Sequence, residues 1–260
     1  MNDCTSLNDY GNLFRLDGKR AVVIGAGGIG HEVVRGLAAH GAHVICVDRD
    51  AGTAAEAAEA VGGEALTLDV TDAAAVHDAA AALGEVDVLV LTAAMNVRKR
   101  ILDYTTEEFR QVTRLNLEAT FTVLQAFGRG MVERGTGSIV VFSSIRGLVV
   151  EPGQSVYAAT KAGAIGLVKT AAVEFGEDGV RVNAIAPGVV ETPLTSQIKA
   201  DEQWYAAYAQ KGALGRWARP SELVGAVVYL ASDAASFVTG STLMVDGGWT
   251  AVDGRFTPPT

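Results

Sequence analysis

Short apolar runs along the chain alternate with longer segments whose apolar residues recur every three or four positions. The runs are Ala21–Ile24, His43–Val47, Glu64–Leu68, Val86–Leu91, Ser138–Phe142, Val180–Ile185 and Thr242–Val245. Several are almost continuously apolar, the pattern of strands buried on both faces. Between them, Ile29, Val33, Leu37 and Val112, Leu115, Ala119 mark helical stripes. Alternation of this kind predicts an α/β fold, a single Rossmann-type doubly wound sheet of about seven parallel strands with helices on both faces, in the order 3-2-1-4-5-6-7. No repeat or Pro/Ser/Gly-rich linker divides the chain. One dinucleotide-binding domain is therefore expected over residues 18–250, after a polar lead-in (1–17) and before a short tail (251–260).

Composition narrows the function. With 49% hydrophobic residues in 260, the chain is long enough for one large core. A net charge of −9, with Arg98-Lys99-Arg100 as the longest basic run, argues against a nucleic-acid partner. Cys4 and Cys46 stand alone, and His31, His40, His43 and His77 lack zinc spacing, so no metal and no disulfide are expected. No apolar run reaches the roughly 18 residues that span a membrane. The N-terminus carries Asp3 and Asp9 rather than a basic start and an apolar core, and a cytoplasmic protein is expected.

Gly25-Ala26-Gly27-Gly28-Ile29-Gly30 closes the first apolar run and opens a helical pattern. Glycines there let the backbone approach phosphates, and the helix N-terminus offers free N–H groups to an anion. Asp48, 18 residues beyond Gly30, ends the second run, where a carboxylate accepts ribose hydroxyls. It would also repel a 2′-phosphate, which favours NAD over NADP, whereas the adjacent Arg49 is able to pair with such a phosphate.

Tyr157 and Lys161 stand four residues apart, on one face of a helix. A lysine charge about 5 Å from a phenol contributes about 3 kcal/mol at an effective dielectric of about 20, or about two pK units, which would bring Tyr157 toward neutral pH. Ser144 lies 13 residues earlier, at the end of the fifth run, where open α/β sheets place their ligands.

From about residue 16 to 250 the chain resembles the short-chain dehydrogenase/reductase family. The matching pieces are the glycine loop, Asp48, Leu68–Val70, Val86–Val90, "RLNLEATF" with Asn116, Ser144, Tyr157, Lys161, Val182–Pro193, Arg216–Leu223 and Phe237–Gly248. The resemblance implies that Tyr157 is the acid/base and that Ser144 binds the substrate oxygen. Lys161 would hold the nicotinamide ribose and lower the Tyr157 pKa, and Asn116 would anchor a water in a proton relay. Gly25, Gly28, Ile29 and Gly30 would face the pyrophosphate; Asp69, Val70 and Ala93 would lie near the adenosine; Pro187, Gly188, Val190 and Thr192 would hold the carboxamide end of nicotinamide. In the family the helices carrying Asn116 and Tyr157 pair across a two-fold axis, which implies a homotetramer or a dimer.

Two departures stand out. The family loop T-G-x-x-x-G-x-G has lost a residue between Gly25 and Gly28, and Ile24 replaces its Thr; the N-N-A-G after strand four reads Leu91-Thr92-Ala93-Ala94. The expected activity is an NAD-dependent oxidoreduction between a secondary alcohol and its ketone. Asn96, Arg98 and Arg146 look like the equipment of relatives that act on sugars, polyols or sugar acids, although both arginines also read as ordinary surface charges. Trp204, Tyr205 and Tyr208 form either a substrate lid or a packed helix. The alternatives are a 3-oxoacyl-type ketone reductase and a non-catalytic dinucleotide-sensing or scaffold protein.

Overall fold

Successive side chains of a strand leave the sheet on opposite faces, which sorts the apolar runs into two cores. In the computed structural model, which describes residues 7–253, Val22, Ile24, Ile45, Val47, Leu89, Leu91, Ile139 and Val141 join one core, while Ala21, Val23, Val44, Cys46, Val88, Val90, Val140 and Phe142 join the other. Cys4 and residues 254–260 lie outside the described residues.

The chain runs α1 (Leu7–Asn12), β1 (Arg20–Ile24), α2 (Ile29–Ala39), β2 (His43–Asp48), α3 (Ala51–Glu59), β3 (Glu64–Thr67), α4 (Ala73–Leu83), β4 (Val88–Leu91) and α5 (Thr106–Thr113). It continues through α6 (Ala119–Arg134), β5 (Gly137–Phe142), α7 (Ser155–Gly176), β6 (Val180–Pro187), α8 (Ser196–Lys199), α9 (Glu202–Lys211), α10 (Val224–Ala231) and β7 (Thr242–Val245). All seven strands are parallel, in the order β3-β2-β1-β4-β5-β6-β7. Helices α4, α6 and α7 cover the first core with Val76, Val123 and Val168; α2 and α10 cover the second with Val33, Leu37 and Val227. The order reverses between β1 and β4, so a crevice opens at their carboxyl ends, where a doubly wound sheet binds its ligand.

The edge strand β3 departs from the buried-strand pattern. Only Leu66 of its four residues is even partly covered. Polar caps punctuate the helices: Asp50, Asp72 and Asp201 accept the N–H of Thr53, Ala75 and Trp204, and Thr105 forms a capping box with Glu108. Helix α2 alone among these long helices starts from a glycine, Gly28, with no side-chain cap. Cys46 is buried in β2, and burial pushes its thiol up to about 11, which leaves it a protonated core residue. No helix of the described residues is long and apolar enough to cross a membrane.

Candidate active site

Two spaces open at the carboxyl ends of the strands, a groove over β1 and β2 and a smaller pocket beyond β5. Leu194 lines both.

The start of α7 brings Tyr157 to the pocket wall. Tyr157 and Lys161 lie one turn apart, and both are buried, as is Ser144 just past β5. One face of this helix is anchored in the core by Val156, Ala158, Ala164, Ile165 and Val168. The Ser144 hydroxyl accepts the Arg146 N–H at 3.1 Å and so caps the turn Ile145–Gly147. Lys161 Nζ donates to the Phe142 carbonyl at 2.8 Å and stands 5.7 Å from the centre of the Tyr157 ring. Burial pushes the Lys161 ammonium down to about 8.

Tyr157 contradicts one expectation. Burial raises its pKa above the ordinary phenol value; the Ser144 hydroxyl, then Arg146 and Arg98, pull it back only in part. The nearby Lys161 ammonium, which donates to the Phe142 carbonyl, does not bring the phenol below its ordinary value. Desolvation of the phenolate outweighs the neighbouring positive charges.

Asn116 lies in a π-helical turn, Arg114–Glu118, between α5 and α6, a kind of irregularity common at functional sites. It is 1% exposed, and both ends of its amide are bonded: Oδ1 accepts the Met95 N–H at 2.9 Å, while Nδ2 donates to the Met95 carbonyl at 2.8 Å and to Thr160 Oγ1 at 3.2 Å. The side chain thus clamps the segment after β4 onto α7, and no amide N–H is left for a water.

The groove has the donors a pyrophosphate needs. Gly25 and Ala26 give their N–H groups to the Val47 carbonyl, at 2.8 and 3.2 Å, whereas those of Gly27, Gly28 and Ile29 find no partner among the described residues. Gly28 has φ +55°, a conformation that only glycine adopts without strain. Gly25, Gly28, Ile29, Asp48, Asp69, Val70, Ala93 and Thr192 all line the groove, together with Gly27, Arg49, Thr53 and Thr92. Gly30 does not. A Cβ there would stand 1.8 Å from the Gly25 carbonyl oxygen, so this glycine is needed for packing of the loop on α2.

Thr92 was legible only as the loss of an asparagine. Its Oγ1 donates to the Gly25 carbonyl at 2.6 Å and reaches the Ile24 carbonyl at 3.1 Å, tying β4 to the shortened loop. On the far side, Gly188 lines the pocket, but Pro187 and Val190 are buried, Val190 in the core beneath α2 and α10.

The pocket side is polar. Asn96, Arg98, Ser144, Arg146, Gln154, Tyr157 and Tyr208 contribute to its wall. Neither arginine is a surface charge: both pair with Glu151, Arg98 at 2.7 Å and Arg146 at 2.5 Å, and Arg146 is only 6% exposed. Glu151 escaped sequence reasoning, since it sits in no motif and its partners lie up to 57 residues away. Helix α9 is packed onto the rest of the chain. Tyr208, Trp217, Trp249, Ile145 and Ile198 form one cluster, and through Tyr208 that cluster walls the pocket.

A protein-family model described as enoyl-(acyl carrier protein) reductase matches residues 24–250. Galactitol 2-dehydrogenase (L-tagatose-forming) of Cereibacter sphaeroides is 41% identical over 251 residues, covering 93% of this chain and 99% of that protein. Gluconate 5-dehydrogenase of Gluconobacter oxydans (strain 621H) is 39% identical, over 92% of this chain and 97% of its own. The crystal structure of a gluconate 5-dehydrogenase from Burkholderia cenocepacia J2315, in complex with NADP and tartrate, superposes with a TM-score of 0.89 at 35% identity, covering 93% of this chain and 98% of that one. With these matches spread over nearly its whole length, the chain belongs to the short-chain dehydrogenase/reductase family of oxidoreductases acting on CH–OH groups.

Proposed function

We propose that the protein interconverts a secondary alcohol of a sugar, polyol or sugar acid and its ketone, with NAD(H) as co-substrate and Tyr157 as the acid/base. The observation that carries this reading is the position of Tyr157, packed beside Ser144 on the wall of a polar pocket that shares Leu194 with the glycine-lined groove.

When bound, the nicotinamide accepts or returns the hydride of the substrate carbon. Gly27, Gly28 and Ile29 would hold the pyrophosphate with backbone N–H groups, and the uncapped start of α2 adds its dipole. Asp48 would take the adenosine ribose, and Lys161, beneath Tyr157, the nicotinamide ribose. Ser144 would orient the substrate oxygen toward the Tyr157 hydroxyl. Because burial keeps that phenol protonated at neutral pH, it is ready to donate to a forming alkoxide in ketone reduction. In alcohol oxidation it must first lose its proton, so that direction should accelerate as the pH rises.

The polar wall of the pocket speaks for a hydroxyl-rich substrate and against the acyl chain of a 3-oxoacyl reductase. A dinucleotide sensor would have no need of a buried lysine beneath a buried tyrosine.

NAD is the favoured dinucleotide. Asp48 stands at the mouth of the groove, with Oδ1 accepting the Asp50 N–H at 3.0 Å and the other oxygen left for ribose. A 2′-phosphate placed there would stand beside the Asp48 carboxylate, a repulsion that Arg49, also on the groove wall, would have to overcome. Calorimetric titration should therefore give at least 10-fold tighter binding of NAD than of NADP, about 1.4 kcal/mol. Equal binding would mean that Arg49 turns to the phosphate. The Burkholderia relative is a complex with NADP, which makes this comparison a sharp one for the present chain.

The protein is also proposed to assemble as a homotetramer or dimer. Phe109, Phe121 and Val173, on α5, α6 and α7, are each at least half exposed on the single chain. Light scattering at micromolar concentration should give a multiple of the chain mass; a monomer would contradict the assignment.

A further inference from the structure

Glu151 is a carboxylate with four side-chain partners from four segments. Oε1 accepts from Arg98 Nη1 at 2.7 Å, from Gln154 Nε2 and from the Tyr208 hydroxyl; Oε2 accepts from Arg146 Nη2 at 2.5 Å. The faces of both guanidiniums are covered, with Arg98 4.9 Å from the centre of the Trp204 ring and Arg146 5.3 Å from that of Trp249. Arginines in a sugar-dehydrogenase pocket invite the assumption that they grip a substrate carboxylate. Here they already hold one.

We propose that Glu151 sets the charge selectivity of the substrate pocket: it is the built-in anion of Arg98 and Arg146, and it fits the pocket to an uncharged polyhydroxy substrate instead of a sugar acid. The proposal rests on the dehydrogenase reading above and narrows its substrate class.

Two observations carry it. An ionised carboxylate accepts hydrogen bonds only, and this fixes the amides that lead away from it. Gln154 turns its N–H to Glu151 and therefore presents Oε1 to Asn96, whose Nδ2 donates to it at 3.2 Å. Asn96, a wall residue of the same pocket, is then left with Oδ1 as a buried acceptor that has no partner. A buried acceptor without a donor is costly, and a substrate hydroxyl satisfies it where a carboxylate has no hydrogen to give. Secondly, a substrate carboxylate using the remaining edges of the two guanidiniums would stand beside the Glu151 carboxylate and lose its water in a half-buried site. Like charges so placed repel, and only a strong net positive field offsets that desolvation. One of the two guanidinium charges is balanced by Glu151, and the field of both is felt at Tyr157, whose ionised form they favour. The arginines thus have a task at the phenol that needs no acidic substrate.

The test compares a matched pair, glucitol and gluconate, which differ at one terminal carbon as CH2OH and COO−. kcat/KM is measured with NAD at neutral pH for the wild type and for Glu151→Gln, which keeps the shape and removes the charge. The wild type should favour glucitol at least 10-fold, and Glu151→Gln should move the gluconate-to-glucitol ratio at least 10-fold toward gluconate. If the variant fails to fold, the wild-type preference decides, together with competitive inhibition of the wild type by gluconate against a neutral polyol. A wild type that prefers gluconate, or is inhibited more tightly by it, overturns the proposal and leaves the dehydrogenase reading standing. So does an unchanged ratio in a folded Glu151→Gln. A wild type that turns over neither compound nor any other polyol, sugar or sugar acid, with NAD or NADP, overturns both.

Discussion

Tyr157→Phe is expected to lower turnover at least 10²-fold, the usual scale for a positioned acid/base, without weakening the fold or the binding of NAD. Only a hydroxyl is removed. The ring, 8% exposed, keeps its packing, and the Lys161–Phe142 hydrogen bond does not involve it. The pH profile adds a readout that simple damage would not move. Wild-type alcohol oxidation should climb through the alkaline range, since burial raises the phenol pKa; the variant's residual rate should lose that climb. Steady-state kinetics over pH, with calorimetric NAD binding as the control, checks both. A variant that keeps its turnover would remove Tyr157 from the chemistry.

Lys161→Met should do the opposite to stability of what it does to activity. The drop of the Lys161 pKa from 10.5 to about 8 corresponds to about 3 kcal/mol spent on burying the ammonium. Losing its hydrogen bond to the Phe142 carbonyl costs about 1 kcal/mol, so Met should stabilise the fold by about 2 kcal/mol at neutral pH. The sign with pH follows from linkage. Below pH 8 the lysine is charged in both states and the whole cost is present; between about 8 and 10.5 the unfolded chain holds more protons, so wild-type stability rises. The advantage of Met should therefore shrink across that window and give way above it to a deficit of about 1 kcal/mol, the lost hydrogen bond. Turnover and cofactor affinity should both fall. Denaturant unfolding of the two proteins at pH 7 and pH 10 checks this; a less stable variant at pH 7 would show that the ammonium is better solvated than its surroundings suggest.

The strand order could be read because parallel strands covered on both faces are nearly continuous apolar runs, as β1, β2, β4 and β5 are; β6 is interrupted by Arg181 and Asn183 but is otherwise apolar. The edge strand β3 has one face and a margin open to water, so its pattern carries less information. Tyr157 and Lys161 could be read because helical spacing alone places them together. What each does to the other could not, since that depends on the carbonyl Lys161 meets and on the depth of burial. The π-helical turn at Arg114–Glu118 breaks the 3.6-residue period and leaves no mark in the hydrophobic pattern, so the clamp of Asn116 on Met95 was hidden. Thr92 and Glu151 act through partners 67 and 53 residues away, on other strands and loops. Such pairs exist only once the sheet has formed.

The measurement closest to the central claim is the appearance of reduced nicotinamide when the protein, NAD and a panel of polyols and sugars are mixed. The account predicts repeated turnovers with at least one secondary alcohol of this class, and the reverse reaction with its ketone. NAD that binds tightly in the groove yet is never reduced, across the whole panel and with NADP in its place, would contradict it and return the protein to a dinucleotide-sensing or scaffold role.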